Sequence, residues 1–386
     1  MTTKESMEVS FKNYFNEDAT LVVKSPGRIN IIGEHTDYNN GFVLPAAIDK
    51  YIYVALNIRQ DQLLNLYSKD YNQSYQTDLS IADPNAPEWA KYIIGVAQLI
   101  NKKTNTIKGF NLYLEGDVPL GAGLSSSAAL SCATAFALNE LFDGRLSRIQ
   151  LAEIGQQTEH QYIGLKCGIM DQFASVLGKD NHAIKLDCRD LSYEYVPLDW
   201  TEYEILLLNT NVKHNLASTA YNDRRNACEQ GVNLIREQFP EVQSLRDVTL
   251  QQLDDIVKPN NMEVYVKCRF IIQENERLLK AVDALRKHNI PNLGELLFDA
   301  HWALSKEYEV SCPELDFLVS SAEKLEAVVG ARMMGGGFGG CTINLVKKGQ
   351  SEEVVNAISP IYKETFNLEL TPIKAKISNG TSIVMN

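Results

Sequence analysis

Pro119-Leu-Gly-Ala-Gly-Leu-Ser-Ser-Ser-Ala-Ala129 is the stretch on which the fold turns, because two glycines and three serines sit where a strand-type run gives way to a helical one. Upstream, Phe110 to Glu115 alternates Phe, Leu and Leu with Asn and Tyr, the period-two pattern of a half-buried strand. Downstream, Leu130, Ala133, Ala137, Leu138 and Leu141 recur at helical spacing within Ala128 to Phe142, and Gly144 follows as a stop. Glycines let a backbone approach a ligand closely, while the free N–H groups and positive dipole of a helix start attract phosphate. The stretch has no lysine and so is not the G-x-x-x-x-G-K-S/T P-loop. The alternative, an ordinary serine-capped turn, stays open, although it needs only one of the serines.

Working outward, Leu21 to Lys24 and Phe42 to Leu44 are short β-type runs, and Tyr51 to Ile58 with Leu63 to Tyr67 predicts a hairpin turning near Gln60-Asp61. Ser147 predicts the N-cap of a helix running to about Tyr162. Glu204 to Leu208 reads as a short apolar strand, after which composition shifts towards helix from Thr249 to Gly330. There, Ile271, Leu278, Val282 and Leu285 mark one helix ended by Pro291, while Leu315, Leu318, Ala322, Leu325 and Val329 mark another running from Pro313 to Gly330. Strands are expected at Ala331 to Met334, Cys341 to Val346, Pro372 to Ile377 and Thr381 to Met385. The domain boundary falls near residue 205, giving units 1–205 and 206–386.

Three further segments bear chemistry. Gly335-Gly-Gly-Phe-Gly-Gly340 matches G-x-G-x-x-G formally, but a strand follows where a dinucleotide fold requires a helix. A protein-kinase loop is excluded as well: no D-F-G exists, and Cys188-Arg-Asp-Leu191 lacks the downstream Asn. Close approach of the glycine backbone to a ligand or to another loop explains so costly a run. Arg28, Glu34, His35 and Asp37 lie in a loop punctuated by Pro26, Gly33 and Gly41. A cation with two carboxylates suits a polyhydroxylated ligand, and equally a solvated charged loop. His35 has no partners at metal-ligand spacing and reads as a hydrogen-bonded structural residue. Asp171, in Cys167-Gly-Ile-Met-Asp-Gln-Phe173, is a lone carboxylate among apolar residues near a helix start, either a general base or an N-cap.

The chain has 386 residues, 45% hydrophobic and 22% charged, enough for two or three domains. Thirty-seven Lys and Arg against 49 Asp and Glu give a net charge of −12, which argues against nucleic acid as a partner. An anionic ligand must therefore be met by a local positive field. Seven cysteines at least 21 residues apart, with no C-x-x-C, read as reduced thiols. Met1 to Ser10 lacks the layout of a signal peptide, and no apolar run reaches the ~18 residues of a membrane helix. The expectation is a soluble cytoplasmic protein with no membrane partner.

Together the segments Gly27-Arg-Ile-Asn-Ile-Ile-Gly-Glu-His-Thr-Asp-Tyr38, Pro119 to Ala128 and Gly335 to Gly340 resemble the motifs of the GHMP small-molecule kinases, in family order and spacing. The resemblance runs from about Val22 to the chain end. It is closest to the galactose-phosphorylating branch, which carries the runs Gly-Glu-His-Thr-Asp-Tyr and Cys-Gly-Ile-Met-Asp-Gln-Phe as they stand here. It implies an α+β fold with two domains: an N-terminal ribosomal-protein-like α/β domain, a C-terminal ferredoxin-like domain, and an active site in the cleft between them. It also implies the reaction, ATP plus α-D-galactose giving ADP plus α-D-galactose 1-phosphate, the first step of the Leloir pathway.

By matching position, the resemblance assigns the sugar to Glu34, His35, Thr36, Asp37, Gly168 and Tyr221, with Asp171 as base and Arg28 beside it. Gly121, Ala122, Gly123, Leu124, Ser125, Ser126 and Ser127 would wrap the phosphates of ATP, with Ser68 touching the nucleotide. Ser127 and Glu159 would be ligands of Mg2+. The partners implied are galactose and ATP, for a monomer. Two rivals remain: another sugar kinase of the same fold, such as an N-acetylgalactosamine or arabinose kinase, and a non-catalytic galactose sensor of the kind that loses part of the serine–alanine run, which is intact here.

Overall fold

The structure is a computed structural model describing residues 2–81, 83–119, 121–212 and 217–385. Its strands, in chain order, are β1 (Leu21–Asn30), β2 (Phe42–Val43), β3 (Pro45–Ile58), β4 (Leu63–Ser68), β5 (Gln73–Asp78), β6 (Phe110–Gly116), β7 (His182–Asp187), β8 (Tyr193–Pro197), β9 (Tyr203–Asn209), β10 (Val328–Met333), β11 (Cys341–Lys347), β12 (Thr371–Ala375) and β13 (Ser382–Ile383). They form a six-stranded sheet ordered β13-β1-β3-β6-β4-β5, a four-stranded sheet ordered β10-β11-β9-β12 and a small sheet, β2-β7-β8. The second sheet is antiparallel throughout, and the helices Pro313–Ala322 and Ser351–Phe366 supply Leu318, Val319, Val354, Ile358 and Tyr362 to the core over it. This is the two-domain α+β fold that the motifs imply.

Helix α1 (Lys4–Phe15) covers one face of the first sheet through Met7 and Phe11, packed with Val22, Tyr53 and Tyr113. On the other face lie α2 (Glu88–Thr104), α3 (Ser126–Leu141), α4 (Arg148–Thr158) and α5 (Met170–Leu177). Every residue of α3 from Ala128 to Asn139 is buried, which its small side chains allow: alanine packs closely on sheet and helices and keeps high helix propensity. Burial of this helix between sheet and neighbours fixes where its N-terminus points, and the glycine–serine loop hangs from that end. We propose that the division between the units falls near residue 205, where β9 opens the second sheet; the chain end returns from there, and β13 pairs with β1.

Several local expectations are corrected. β3 and β4 are not a hairpin: β6 lies between them, antiparallel to β3 and parallel to β4. The Arg59–Gln62 link spans the start of β6 instead, with Arg59 N–H bonded to Gly109 O at 2.8 Å and Gly109 N–H to Asp61 O at 2.9 Å. A Cβ on Gly109 would sit 2.6 Å from Asp61 O, so only glycine permits the insertion. β6 is buried on both faces rather than half-buried, because α1 covers the side carrying Tyr113. Pro291 starts a helix (Ile290–Ala303) instead of ending one, taking a first-turn position that needs no N–H; the preceding helix, Met262–Arg286, has already stopped. The helix from Pro313 stops at Ala322, and Val328 to Gly330 joins β10, where Gly330 meets Gly294 at a backbone crossing too close for a side chain.

Candidate active site

A cavity of about 310 Å³ opens between the two sheets, within the ~300–1,000 Å³ typical of small-ligand sites. Arg28, on β1 beside a register shift, lies at its base and is 4% exposed. Its Nε donates to Asp171 Oδ1 at 2.8 Å and its Nη2 to Asp171 Oδ2 at 3.0 Å, a two-pronged fork that fixes the carboxylate plane. Nη1 donates to Gly123 O at 2.6 Å, and the Arg28 N–H to Leu124 O at 3.1 Å, so the same residue anchors the Gly-Ser loop. Burial works against the Arg28 charge, yet Asp171, Glu34 and Asp37 together raise its pKa further. Asp171 does not cap its helix: Ile169 holds the N-cap position, and the Asp171 carboxylate also accepts from the Ser125 hydroxyl.

The segment after β1 brings three side chains to the cavity. Glu34, 1% exposed, accepts at Oε1 from Arg332 Nη2 at 3.0 Å and from the Gly335 N–H at 2.9 Å. Asp37 is pushed up to about 7, first by burial and then by the Asp171 charge, with only the Tyr38 N–H at 2.9 Å and the more distant Arg28 to favour its ionised form. Gly168 lies so closely against it that a Cβ there would overlap Asp37 Oδ2. His35 is lowered to about 4, chiefly by burial, and is therefore neutral; its Nδ1 bonds the Tyr38 hydroxyl at 2.8 Å, and its ring lies 5.3 Å from that of Tyr221. Thr36 lies apart from the cavity wall: its hydroxyl donates to Gly33 O and Phe42 O, bracing the loop from behind.

The Gly-Ser loop faces this group. Gly121, Gly123 and Ser125 all have positive φ, and the left-handed turn at Ser125 aims its hydroxyl at Asp171 rather than at the helix. With no side-chain cap from Ser125, the first N–H groups of α3 are left to an outside acceptor. The serine-capped turn is thus not what these residues build. Ala122 and Leu124 are buried and offer only backbone. Ser127 projects onto Glu159, its hydroxyl 3.3 Å from Oε1. Glu159 is raised to about 7 by burial and by Asp171, despite bonds from the Cys167 thiol, Ser127 and Gln172. A hydroxyl facing a buried, under-neutralised carboxylate fits a hard divalent cation; no cluster of three or more acidic, His or Cys ligands occurs among the described residues.

The third glycine run packs on this loop. A Cβ at Gly340 would lie 3.5 Å from Ala122 O, and one at Gly335 3.6 Å from Gly123 O, while Phe338 N–H bonds Val310 O at 2.7 Å. The run thus meets another loop, and Gly335 to Phe338 also line the cavity. Leu120, and Asn215-Leu216 ahead of Tyr221, lie outside the described residues.

Beyond Ser126 and Ser127 a second cavity of about 380 Å³ is lined by Asp70, Tyr71, Gln73, Trp89, Tyr92 and Leu130. None of these is legible in the sequence as a site residue, since Trp89 and Tyr92 look like the core face of α2; only the aromatic pair near a helix start hints otherwise. Ser68 is not on its wall. The hydroxyl is fully buried at the end of β4, two residues from Asp70.

Three family models match: the galactokinase galactose-binding signature over residues 9–58, the GHMP kinases N terminal domain over 91–179 and the GHMP kinases C terminal over 281–363. The galactokinase of Thermotoga neapolitana is 42% identical over 361 residues, covering 93% of this chain and 98% of the relative, and that of Chloroflexus aggregans 38% identical over 376 residues, covering 97% and 96%. The crystal structure of Lactococcus lactis galactokinase complexed with galactose superposes with a TM-score of 0.92 at 34% identity, covering 98% of this chain and 99% of that one. A Methanococcus jannaschii mevalonate kinase, at 18% identity and a TM-score of 0.67, shares the fold alone. With its length matched almost end to end and its cavity built from the same segments that carry the motifs, the chain belongs to the galactokinases of the GHMP kinase family.

Proposed function

We propose that the chain transfers the γ-phosphoryl group of ATP to the C1 hydroxyl of α-D-galactose, releasing ADP and α-D-galactose 1-phosphate. One observation carries the reading: the Asp171 carboxylate, fixed by the Arg28 fork, lies between a carboxylate-rich wall and an uncapped helix start. The sugar's hydroxyls would pair with Glu34, Asp37, His35 and Tyr221 on one side, Thr36 and Gly168 holding that wall in shape. The phosphates would lie along Gly121 to Ser127 on the other, and the nucleoside in the second cavity near Trp89 and Tyr92, with Ser68 behind it.

In this arrangement the C1 oxygen attacks the γ-phosphorus as its bond to the β–γ bridging oxygen breaks, and the hydroxyl proton passes to Asp171. Arg28 fixes the carboxylate and supplies a positive charge beside it, while the N–H groups of α3 receive developing charge on the phosphoryl oxygens. Mg2+, held by Ser127 and Glu159, would neutralise phosphate charge. The seven cysteines are free thiols, no helix among the described residues is long and apolar enough to cross a membrane, and we read the protein as a cytoplasmic monomer. Coupled detection of ADP with ATP, Mg2+ and separate sugars tests the assignment: galactose supports turnover, and silence with galactose contradicts it.

A further inference from the structure

Arg332 heads the fully buried side chains by size, and it belongs to no motif, lying on β10 just before the glycine run. A buried guanidinium is costly unless most of its five donors are occupied. Here Nε donates to Ile31 O at 2.7 Å, Nη1 to Met333 O at 2.6 Å, and Nη2 to both Asn30 O and Glu34 Oε1, the last at 3.0 Å. The Gly335 N–H meets the same Oε1 at 2.9 Å. One planar group on the second sheet thus grips the chain where it leaves β1 and, four residues on, a carboxylate of the cavity wall.

We propose that Arg332 is a positioning residue for the sugar: it acts through Glu34, holding that carboxylate aimed into the cavity, and so sets galactose affinity. The proposal rests on the galactokinase reading above. A lysine would keep the charge but not the fork, since a single ammonium on a flexible stem cannot hold two backbone carbonyls and Oε1 in one plane. A group that acts only through Glu34 has nothing left to do once Glu34 is removed, whereas a brace between the two sheets matters either way.

The experiment compares the full-length wild type, Arg332→Lys, Glu34→Ala and the double variant by galactose calorimetry and steady-state kinetics. Arg332→Lys is expected to raise the galactose Kd and KM about tenfold or more, with kcat and the ATP KM within about threefold, because a lost ground-state contact appears in KM. In the Glu34→Ala background the same change should move the galactose Kd by less than about threefold. A folded Arg332→Lys protein with unchanged galactose Kd overturns the proposal, as do fully additive effects in the double variant. If Arg332→Lys does not fold, the double variant against Glu34→Ala decides: equal Kd supports the proposal, and a further tenfold loss, or failure of the double variant to fold, overturns it. Absence of galactose binding in the wild type overturns the galactokinase reading and this proposal together, which separates that failure from the others.

Discussion

The two cavities that meet at Ser127 differ in the side chains that line them. On the sugar side, Glu34, Asp37, Asp171 and Glu159 gather around Arg28, the one lining cation among the described residues, and two of those carboxylates are raised to about 7. On the far side Trp89, Tyr92, Ile52, Leu114 and Leu130 supply aromatic and aliphatic surface, with the carboxylates of Asp70 and Glu88 at the same wall. Charge that burial leaves unbalanced costs stability until a ligand or metal meets it, about 1.4 kcal/mol for each tenfold change in a group's proton affinity. Aromatic and aliphatic surface carries no such cost and recognises a flat ring by shape and contact. The sugar side should therefore answer to changes of charge, and the far side to changes of shape.

The largest effect tests charge at the reacting atoms. Asp171→Asn keeps the side-chain shape and the Arg28 contact in part, so galactose binding should largely survive while kcat falls by ~10²–10⁴-fold, the usual worth of a general base. A variant keeping more than about a third of wild-type kcat would reduce Asp171 to a positioning group. Next comes the metal: Ser127→Ala and Glu159→Gln should weaken use of Mg·ATP by about 10–100-fold with galactose binding unchanged, and excess Mg2+ should partly restore Glu159→Gln. Titrations of activity against Mg2+ that superpose on the wild type contradict the assignment. On the far side, Trp89→Leu should raise the ATP KM about tenfold and leave the galactose KM alone, since aromatic stacking on a base is worth ~1–3 kcal/mol. A galactose effect as large as the ATP effect would erase the distinction between the cavities.

The smallest effect is on stability. Asp37 and Glu159 have folded-state values raised above their ordinary ones, so the folded protein binds these protons more tightly than the unfolded chain. Their contribution is full below about pH 4 and is lost as pH rises through about 7. The ligand-free protein should accordingly lose stability between about pH 5 and 8 through these groups, and Asp37→Asn should remove about half of that slope in urea unfolding. An identical slope in the variant means that Asp37 is not protonated in the free enzyme.

The same contrast explains what was legible in the sequence. Arg28, Glu34, His35 and Asp37 were legible because polar residues crowd into one short glycine-bounded run, and Ser125 to Ser127 because serines and glycines interrupt a strand-to-helix join. Trp89 and Tyr92 were not, because a helix that lines a cavity with aromatic residues has the periodicity of one that packs a core. Arg332 was hidden differently: it contacts Glu34 from 298 residues away, and local pattern has no reach over that distance. The hairpin misreading has the same origin. Which strand lies beside β3 is decided by β6, which arrives only after α2, and by Gly109 fitting against Asp61. Thr36 stands as the reverse case, a motif residue whose hydroxyl supports the loop from behind.

The central claim, a sugar-1-kinase whose buried carboxylates read the hydroxyls of galactose, is tested most directly by comparing galactose with glucose, its C4 epimer, in ADP release at saturating Mg·ATP. A site built to pair with a hydroxyl leaves a buried acceptor unpaired when that hydroxyl moves, so kcat/KM for glucose should be lower by at least ~10²-fold. Comparable kcat/KM for the two sugars in the unmodified protein would contradict the account.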